Sequence, residues 1–483
     1  MHHKPLFFVG SYFIFPLALL ISSCQTIPAS MPFLQANDLE NAYEQYHETS
    51  LTHRRFRHAD IIPLLNNRKV VFTVEEIGQS VQGRGIFQLT YGKGPLRVML
   101  WSQMHGNEST ATMALFDLFN FLEGNHDCYD TLRNLIREKL HILFIPMLNP
   151  DGAEVFQRRN ALDIDINRDA IQTASPEAAT LKTARERFQP AFGFNLHDQQ
   201  IYYNVSGTAK PATISVLAPA YNEPREINKV RTRSMQLAVG MNRLVQQLIP
   251  GHVGKYDDTF EPRAFGDNFQ KWGTSTVLVE SGGFPDDPEK QFIRKLNFML
   301  ILNALYELAT GAYAQHDLKE YEAIPDNDSK LVDLLIRGIS IDQQGKKYNM
   351  DLGIKKTEKE NDDGFDIAAA VSDLGDLSVF YGYEEIDAHG LEFKTGNIWK
   401  GRFNRVEEVS WDKAWDLLKQ GYMAIRVAHQ PDTAHRLPLV VVKEERDFKS
   451  GFKIGQPANF YLTRGDELVY AVVNGNLINL EGR

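Results

Sequence analysis

The sequence predicts an α/β domain with a mixed, mainly parallel sheet and helices on both faces, followed by a smaller β-rich domain. Between residues 70 and 310, short apolar runs alternate with helical patterns, which is typical of α/β folds. Several of these runs are continuously apolar rather than alternating, as strands are when both faces are covered. At 483 residues the chain also exceeds what one hydrophobic core usually organises, so we expect two domains.

The elements of the first domain follow from these patterns. Helices are expected at Ala111–Leu122 and at Val230–Leu248. A third is expected from Pro288 onwards, because proline is favoured in the first turn of a helix. The predicted strands are Val70–Glu75, Ile86–Thr90, Arg97–Ser102, Leu140–Pro146, Phe192–Leu196, Thr213–Leu217 and Ser275–Val279.

Changes in composition set the domain boundaries. Residues 51–313 are expected to form the first domain and residues 325–483 the β-rich one, with the turn-forming residues Ile324–Ser329 as a linker. The charged run Lys355–Asp363 is predicted to be an exposed loop. Residues 24–50 are polar and are interpreted as a spacer that includes a short helix.

The charge balance bears on possible partners. The chain has 52 Lys and Arg against 62 Asp and Glu, a net charge of −10, and it contains no basic run. A basic patch is the usual electrostatic footprint of a protein that binds nucleic acid. We therefore expect no nucleic-acid partner.

The first residues have the pattern of a targeting segment. A basic start precedes the apolar run Leu6–Ile21, which is short for a membrane span and ends in small residues. The following Ser22-Ser23-Cys24 resembles a bacterial lipobox. This resemblance implies a signal peptide at residues 1–23, a lipid on Cys24, and a protein tethered to a membrane of the bacterial envelope outside the cytoplasm. An uncleaved signal anchor or a buried N-terminal helix is the alternative.

The strongest local motif is His105-Gly106-Asn107-Glu108, which lies between a predicted strand and a predicted helix. An imidazole and a carboxylate three residues apart at such a turn can converge on one cation such as zinc. Alone the motif is weak, because a histidine at a strand end is more often a satisfied polar group than a ligand.

Two further candidates end predicted strands in the same way. His197 follows Phe192–Leu196, and Glu280 follows Ser275–Val279. In open α/β sheets the site lies beyond the carboxyl ends of the strands, so these side chains are expected to meet. Two histidines and one glutamate leave a zinc position open, as catalytic zinc sites do. His252 is the competing third ligand, although no predicted strand positions it.

Further polar motifs lie between these residues. They are Asn149-Pro150-Asp151-Gly152, Arg158-Arg159-Asn160 and Asp165-Ile166-Asn167-Arg168-Asp169, and Ile77–Ile86 precedes the metal motif. Taken singly, they are interpreted as a turn and a solvated basic patch. The ordered set, spanning about residues 70–310, resembles the zinc carboxypeptidases of the carboxypeptidase A type. The sequences Met104–Glu108 and Asn195–Gln199 are also similar to those of such proteins from bacterial envelopes.

The resemblance implies a carboxypeptidase-like fold and a role for each matching residue. One Zn²⁺ per chain would be held by His105, Glu108 and His197, with Glu280 as the general base. Arg158 matches the arginine that faces the developing oxyanion. Asn167 and Arg168 match the pair that binds the C-terminal carboxylate of the peptide substrate, and Asp165 matches a carboxylate that orients a ligand histidine.

The chain also departs from the family pattern. Asn107 stands where the family often has arginine, so an extended subsite is expected to differ. The family's substrate-contacting tyrosine should lie in the Gly251–Asn268 loop, where Tyr256 is the candidate. Phe265 and Asp267 in the same loop are alternative determinants of the preferred terminal residue.

The sequence therefore predicts a zinc metallocarboxypeptidase that acts on peptides with a free C-terminus. The alternative among enzymes is a zinc amidohydrolase acting on N-acyl amino acids or cell-wall peptides, since related folds use the same metal triad. The alternative from another class is a catalytically inactive, lipid-tethered binding protein. The complete set of candidate ligands, base and arginines argues against that last alternative.

Overall fold

The computed structural model describes residues 34–68, 70–361, 364–429, 437–443 and 448–481. The predicted signal peptide and Cys24 lie outside these residues. Within the described part of the chain, no helix is both long enough and apolar enough to cross a bilayer.

The first domain consists of strands and helices that alternate along the chain. Its strands are β1 (Thr73–Gln79), β2 (Gly85–Tyr91), β3 (Leu96–Ser102), β4 (Leu140–Ile145), β5 (Phe192–Asp198), β6 (Asn204–Val205), β7 (Ile214–Leu217), β8 (Val253–Lys255) and β9 (Ser275–Ser281). Its helices are α1 (Ala36–Tyr46), α2 (His58–Asn66), α3 (Thr110–Glu123), α4 (Asp130–Lys139), α5 (Pro150–Glu154), α6 (Pro176–Phe188), α7 (Lys229–Leu248), α8 (Phe265–Lys271), α9 (Gln291–Thr310) and α10 (Leu318–Glu322). Single 3₁₀ turns occur at Ile166–Arg168 and Ala312–Gln315.

Eight of these strands form one sheet in the order β1-β2-β4-β3-β5-β9-β7-β8. The central neighbours β4, β3, β5 and β9 run parallel, as do β7 and β8, while β1, β2 and the β7–β9 pair supply antiparallel contacts. The predicted mixed, mainly parallel sheet is therefore confirmed. The first predicted strand begins later than expected, at Thr73, because Val70 and Val71 lie exposed in the turn before it.

Both faces of the sheet are covered, as the continuously apolar strands predict. In β3, Leu100 packs into a core shared with α3, α7 and α9, whereas its neighbour Trp101 packs on the other side against Phe269 of α8. Adjacent residues of a strand point to opposite faces, so a strand apolar at every position needs a layer on each side. Helix α1, inside the predicted spacer, also buries Leu39 and Tyr43 against the first core.

The second domain is β-rich, as predicted. Its strands are β10 (Asn327–Asp328), β11 (Leu331–Gln343), β12 (Lys346–Asn361), β13 (Gly364–Gly375), β14 (Tyr381–Asp387), β15 (Glu392–Thr395), β16 (Asn397–Phe403), β17 (Tyr422–Val427), β18 (Val440–Lys443), β19 (Phe460–Arg464), β20 (Glu467–Val473) and β21 (Asn476–Asn479). Helix α11 (Trp411–Lys419) packs on a small parallel sheet of β16, β17 and β18, and a 3₁₀ turn lies at Val406–Glu408. Strand β10, in the predicted linker, pairs with β6 of the first domain.

The prediction of a loop at Lys355–Asp363 is wrong over its described residues. Strand β12 continues to Asn361 and pairs with β13 along its length, for example Lys355 with Ala370 and Glu358 with Ile367. Charged residues are compatible with this strand because neighbouring positions such as Thr357 and Glu358 lie at the surface, while backbone pairing satisfies the amides.

Candidate active site

Three strand ends place the predicted site residues at one edge of the sheet. Strand β3 ends at Ser102, and His105 and Glu108 lie in the connection to α3. His197 and Glu280 occupy the same register position on the parallel strands β5 and β9. Because parallel strands end at a common edge, residues far apart in sequence meet there.

His105, Glu108 and His197 form a buried cluster whose donor atoms lie within 4.8 Å of one another. The Nδ1 atom of His105 lies 2.8 Å from Glu108 Oε1, and the Nδ1 atom of His197 lies 2.7 Å from Glu108 Oε2. Although burial opposes ionisation, the two imidazoles hold the pKa of Glu108 well below its usual range. Two imidazole nitrogens and a carboxylate that converge in this way fit a zinc ion.

Asp165 orients the first histidine of this cluster. Its Oδ1 lies 3.1 Å from His105 Nε2, which leaves Nδ1 facing Glu108. The same oxygen accepts the backbone N–H of Asn167 and so begins the 3₁₀ turn that carries Arg168. Burial opposes ionisation of Asp165, but the contacts with His105 and Arg158 lower its pKa. A carboxylate that holds the second nitrogen of a ligand histidine is a common device in metal sites.

A close backbone approach explains two glycines of the sequence motifs. A Cβ atom on Gly106 would lie 1.9 Å from the carbonyl carbon of Gly152, and one on Gly152 would lie 2.7 Å from the carbonyl oxygen of Arg159, so neither segment leaves room for a side chain there. Asn149 holds this contact, because its side chain accepts the N–H of Gly152 and donates to the carbonyls of Met104 and Arg158. The Asn149–Gly152 turn therefore fixes the metal motif against the segment that carries Arg158.

Arg158 lies beside the donor cluster with its side chain 42% exposed. Its Nη1 is 3.0 Å from His105 Nδ1 and 3.1 Å from Glu108 Oε1, and its Nη2 donates to Asp165 Oδ2 at 3.0 Å. A guanidinium held at this point presents fixed positive charge to any group bound at the cluster.

Glu280 is buried, and its Oε2 atom accepts no hydrogen bond from the described residues. Burial, reinforced by the negative charges of Glu108 and Asp198, raises the pKa of this carboxyl well above its usual range. A carboxylate with a raised pKa is a stronger base, and such groups concentrate in catalytic clefts.

Sequence reasoning missed a buried ion pair behind these residues. Lys290 Nζ lies 3.2 Å from Asp198 Oδ2 and donates to the carbonyl of Ser281 at 2.9 Å, and Thr110 donates to the same carboxylate oxygen. Asp198 directly follows His197 in the sequence, but nothing local indicates that a lysine at the start of α9 pairs with it. The pair joins the strand of the ligand to the segment that follows the strand of Glu280.

One cavity of about 730 Å³ collects the predicted side chains, apart from Asp165 behind His105 and Cys24 outside the described residues. It is lined by His105, Glu108, Arg158, Asn167, Arg168, His197, Tyr256 and Glu280. The ring of Tyr256 lies 6.0 Å from that of Tyr203, and burial raises the pKa of its phenol. The structure thus brings Tyr256 into the same cavity as the metal cluster.

Asn167 and Arg168 approach the cavity from the 3₁₀ turn. The side-chain oxygen of Asn167 accepts the N–H of Phe265 at 2.9 Å, and Arg168 Nε lies 3.3 Å from Glu261 Oε2. Arg168 is 36% exposed. This turn and helix α8 therefore both line the cavity, and the guanidinium of Arg168 is partly exposed there.

The structure distinguishes between Phe265 and Asp267, the two residues considered as determinants of the preferred terminal residue of the substrate. Phe265 is fully buried in the core with Phe269, whereas Asp267 lines the cavity. Burial raises the pKa of Asp267 to about 7. Of these two candidates, Asp267 is therefore the one that can contact a bound side chain.

His252 lies outside the donor cluster. Its Nδ1 is 3.1 Å from the carbonyl oxygen of Pro211 and 3.2 Å from Thr213 Oγ1, and its ring packs near Phe284. His197 is thus the histidine that joins His105 and Glu108.

Comparison with known proteins agrees with this site. Residues 61–216 match the sequence model of the zinc carboxypeptidase family. The family description and the donor set both agree with the predicted zinc cofactor.

Relatives and solved structures cover parts of the chain. A probable carboxypeptidase 2 from Trichophyton verrucosum is 35% identical over 103 residues, which make up 21% of this chain and 19% of that protein. Carboxypeptidase 2 from Trichophyton tonsurans is also 35% identical over 103 residues, 21% of this chain and 18% of that protein. The chain thus spans about a fifth of the length of these relatives. A metallo-carboxypeptidase from Burkholderia cenocepacia aligns with a TM-score of 0.43 at 17% identity, over 52% of this chain and 69% of that structure.

Proposed function

We propose that the protein is a zinc metallocarboxypeptidase that hydrolyses the C-terminal bond of peptides. One observation carries the proposal: the donor atoms of His105, Glu108 and His197 converge in the cavity that also contains Glu280 and Arg168. A metal-ligand set, a base and a cation for a terminal carboxylate are the groups that this reaction needs.

The metal cluster and Glu280 divide the chemistry between them. His105, Glu108 and His197 would hold a zinc ion, which would supply Lewis acidity for polarising a carbonyl and acidifying water. Glu280 takes the proton from the attacking water on one carboxylate oxygen and returns it to the leaving amine. Its unpaired Oε2 and raised pKa favour both transfers.

Arg158 and Arg168 act on charge at two different places. Arg158, beside the donor cluster, stabilises the negative charge that develops on the carbonyl oxygen of the scissile bond. Arg168, with Asn167, binds the free C-terminal carboxylate, since a guanidinium can pair with both of its oxygens. Binding the carboxylate there places the last peptide bond over the cluster.

The test of the ligand set is metal content. His197→Ala is expected to lose most of the zinc of the purified protein, whereas His252→Ala, a control at a half-buried histidine outside the cluster, keeps it. Full zinc in His197→Ala together with loss in His252→Ala would reverse the assignment.

The test of the reaction class is substrate choice. Ordinary peptides, N-acyl amino acids and cell-wall peptides are incubated with the protein, and the products are identified by mass spectrometry. Loss of single C-terminal residues from ordinary peptides supports the carboxypeptidase, whereas turnover of the acylated amino acids or cell-wall peptides alone supports the zinc amidohydrolase.

We also propose that the protein is anchored to a membrane of the bacterial envelope by a lipid on Cys24, with the catalytic domain outside the cytoplasm. The lipobox-like Ser22-Ser23-Cys24 after a short apolar run supports this proposal. Fatty-acid labelling of the intact protein tests it. Label that persists in Cys24→Ala would overturn it.

A further inference from the structure

We propose that the second domain forms part of the substrate site: Glu358 and the β12–β13 hairpin close the end of the cavity opposite Arg168, so the enzyme prefers short peptides. This inference rests on the proposed carboxypeptidase function. It assigns to the β-rich domain a role in selecting substrates by length.

Glu358 on β12 lines the same cavity as the metal cluster, together with Arg54 from the segment before α2. Its carboxylate forms an ion pair with Arg54 through one oxygen and lies 2.7 Å from Arg55 Nη2 through the other. One carboxylate bound by two guanidiniums connects the hairpin of the second domain to the rim of the first.

The hairpin is held from its other strand as well. The guanidinium of Arg55 lies 4.1 Å from the ring centre of Phe156 and 4.3 Å from that of Phe365 on β13. Phe156 belongs to the first domain and lines the cavity two residues before Arg158. These two cation–π contacts of one guanidinium add to the ion pair.

The first-domain side of this contact is firmly positioned. Ser109, next to the metal ligand Glu108, donates its hydroxyl to the carbonyl of Arg54 at 2.5 Å. Arg294, paired with the buried Asp117, donates to the carbonyl of Leu51 at 2.6 Å. The segment that presents Arg54 and Arg55 is therefore fixed to helices α3 and α9.

The second domain is also tied to the segment that follows His197. Tyr202 donates to Asp333 Oδ2 at 2.6 Å, and Tyr383 donates to the carbonyl of Ile201 at 2.5 Å. These contacts join the base of the second domain to the wall of the cavity, so the hairpin extends from an anchored sheet.

A series of contacts connects the Arg168 turn, the metal cluster and Glu358, and it indicates which part of a bound peptide lies near Glu358. The 3₁₀ turn of Arg168 begins at Asp165, which contacts His105, and Glu108 is followed by Ser109, which holds Arg54. The contacts that link the Arg168 turn to Glu358 thus pass through the residues of the metal cluster. A peptide bound by its terminal carboxylate at Arg168 extends its upstream residues towards the hairpin.

A longer peptide must displace the hairpin to bind. An open state that is populated at about 0.1–10% lowers the apparent affinity for a long peptide to that fraction of its intrinsic value. We therefore expect kcat/KM to fall by about tenfold or more once the peptide becomes long enough to reach Glu358.

The test is kcat/KM for a series of peptides from two to ten residues long that share their last two residues. Glu358→Ala removes the ion pair, and Glu358→Arg places three guanidiniums together and repels the hairpin. Glu392→Ala is the matched control, because it removes an exposed ion pair with Lys347 at the opposite end of β12. Melting temperatures of the variants confirm that they are folded.

The wild type and Glu392→Ala are expected to lose activity with length, while both Glu358 variants cleave long and short peptides at similar rates. Wild-type rates that do not depend on length would overturn the inference, as would a length dependence that both Glu358 variants retain. Cleavage of none of the peptides would instead contradict the proposed carboxypeptidase function.

Discussion

His197 and Glu280 are direct register partners on the neighbouring parallel strands β5 and β9. This pairing places an imidazole of the metal cluster next to the buried carboxylate proposed as the base. Strand register is fixed by the hydrophobic pattern of the whole strand, because a shift by one residue would reverse every side chain. The distance between ligand and base is therefore set by the core of the sheet rather than by flexible loops.

Replacing Glu280 with glutamine is expected to abolish most turnover while zinc remains bound. The amide keeps the shape of the side chain but lacks a basic oxygen, and losing a general base costs about 10² to 10⁴ in rate. The measurement is kcat together with zinc content, with Glu320→Gln on the surface as the control. Near-normal kcat in Glu280→Gln would remove this residue from the mechanism.

Replacing Asp165 with asparagine is expected to weaken zinc binding by about 10- to 100-fold, since partners of ligand histidines contribute to metal affinity to this extent. The amide still caps the 3₁₀ turn but no longer holds His105 Nε2 through a charge. Competition with a chelator measures the affinity. An unchanged affinity would show that His105 is oriented without Asp165.

Asp267 is expected to make the terminal-residue preference depend on pH. Its pKa is raised to about 7 by burial, so the side chain is neutral below pH 7 and negative above it. A hydrogen bond to a charged group contributes about 1.5–3 kcal/mol, so kcat/KM for an arginine-terminated peptide relative to a leucine-terminated one should rise at least about tenfold across this pH.

The control is Asp267→Asn, in which the ratio of the two rates should stay flat with pH. A ratio that rises equally in wild type and variant would assign the pH dependence to another group.

Much of the site could be predicted because its residues follow strands. His105, His197 and Glu280 each stand at the end of an apolar run, and the parallel arrangement of those runs brings the ends together. The pairing of Lys290 with Asp198 and the contact of Glu358 with Arg54 could not be predicted, because they depend on how distant segments pack. The strand character of Lys355–Asn361 could not be predicted either, because a charged strand whose partner is a neighbouring hairpin strand has the composition of a loop.

The central claim is that the protein removes residues from the C-terminus of peptides. The proposed contact of Arg168 with the terminal carboxylate provides a test of this claim. Amidation of the substrate's C-terminus removes the charge that the guanidinium binds. Losing this interaction should lower kcat/KM about 100-fold, which corresponds to about 2.7 kcal/mol. In Arg168→Ala the free acid should fall to the rate of the amide, and Arg168→Lys should recover only part, since an ammonium cannot bind both oxygens.

The most direct measurement is therefore kcat/KM for one peptide as acid and as amide, on the wild type and on both Arg168 variants. The proposed function predicts a large preference for the acid in the wild type and none in Arg168→Ala. Equal rates for acid and amide on the wild type would contradict it and would identify the protein as an endopeptidase or a deacylase.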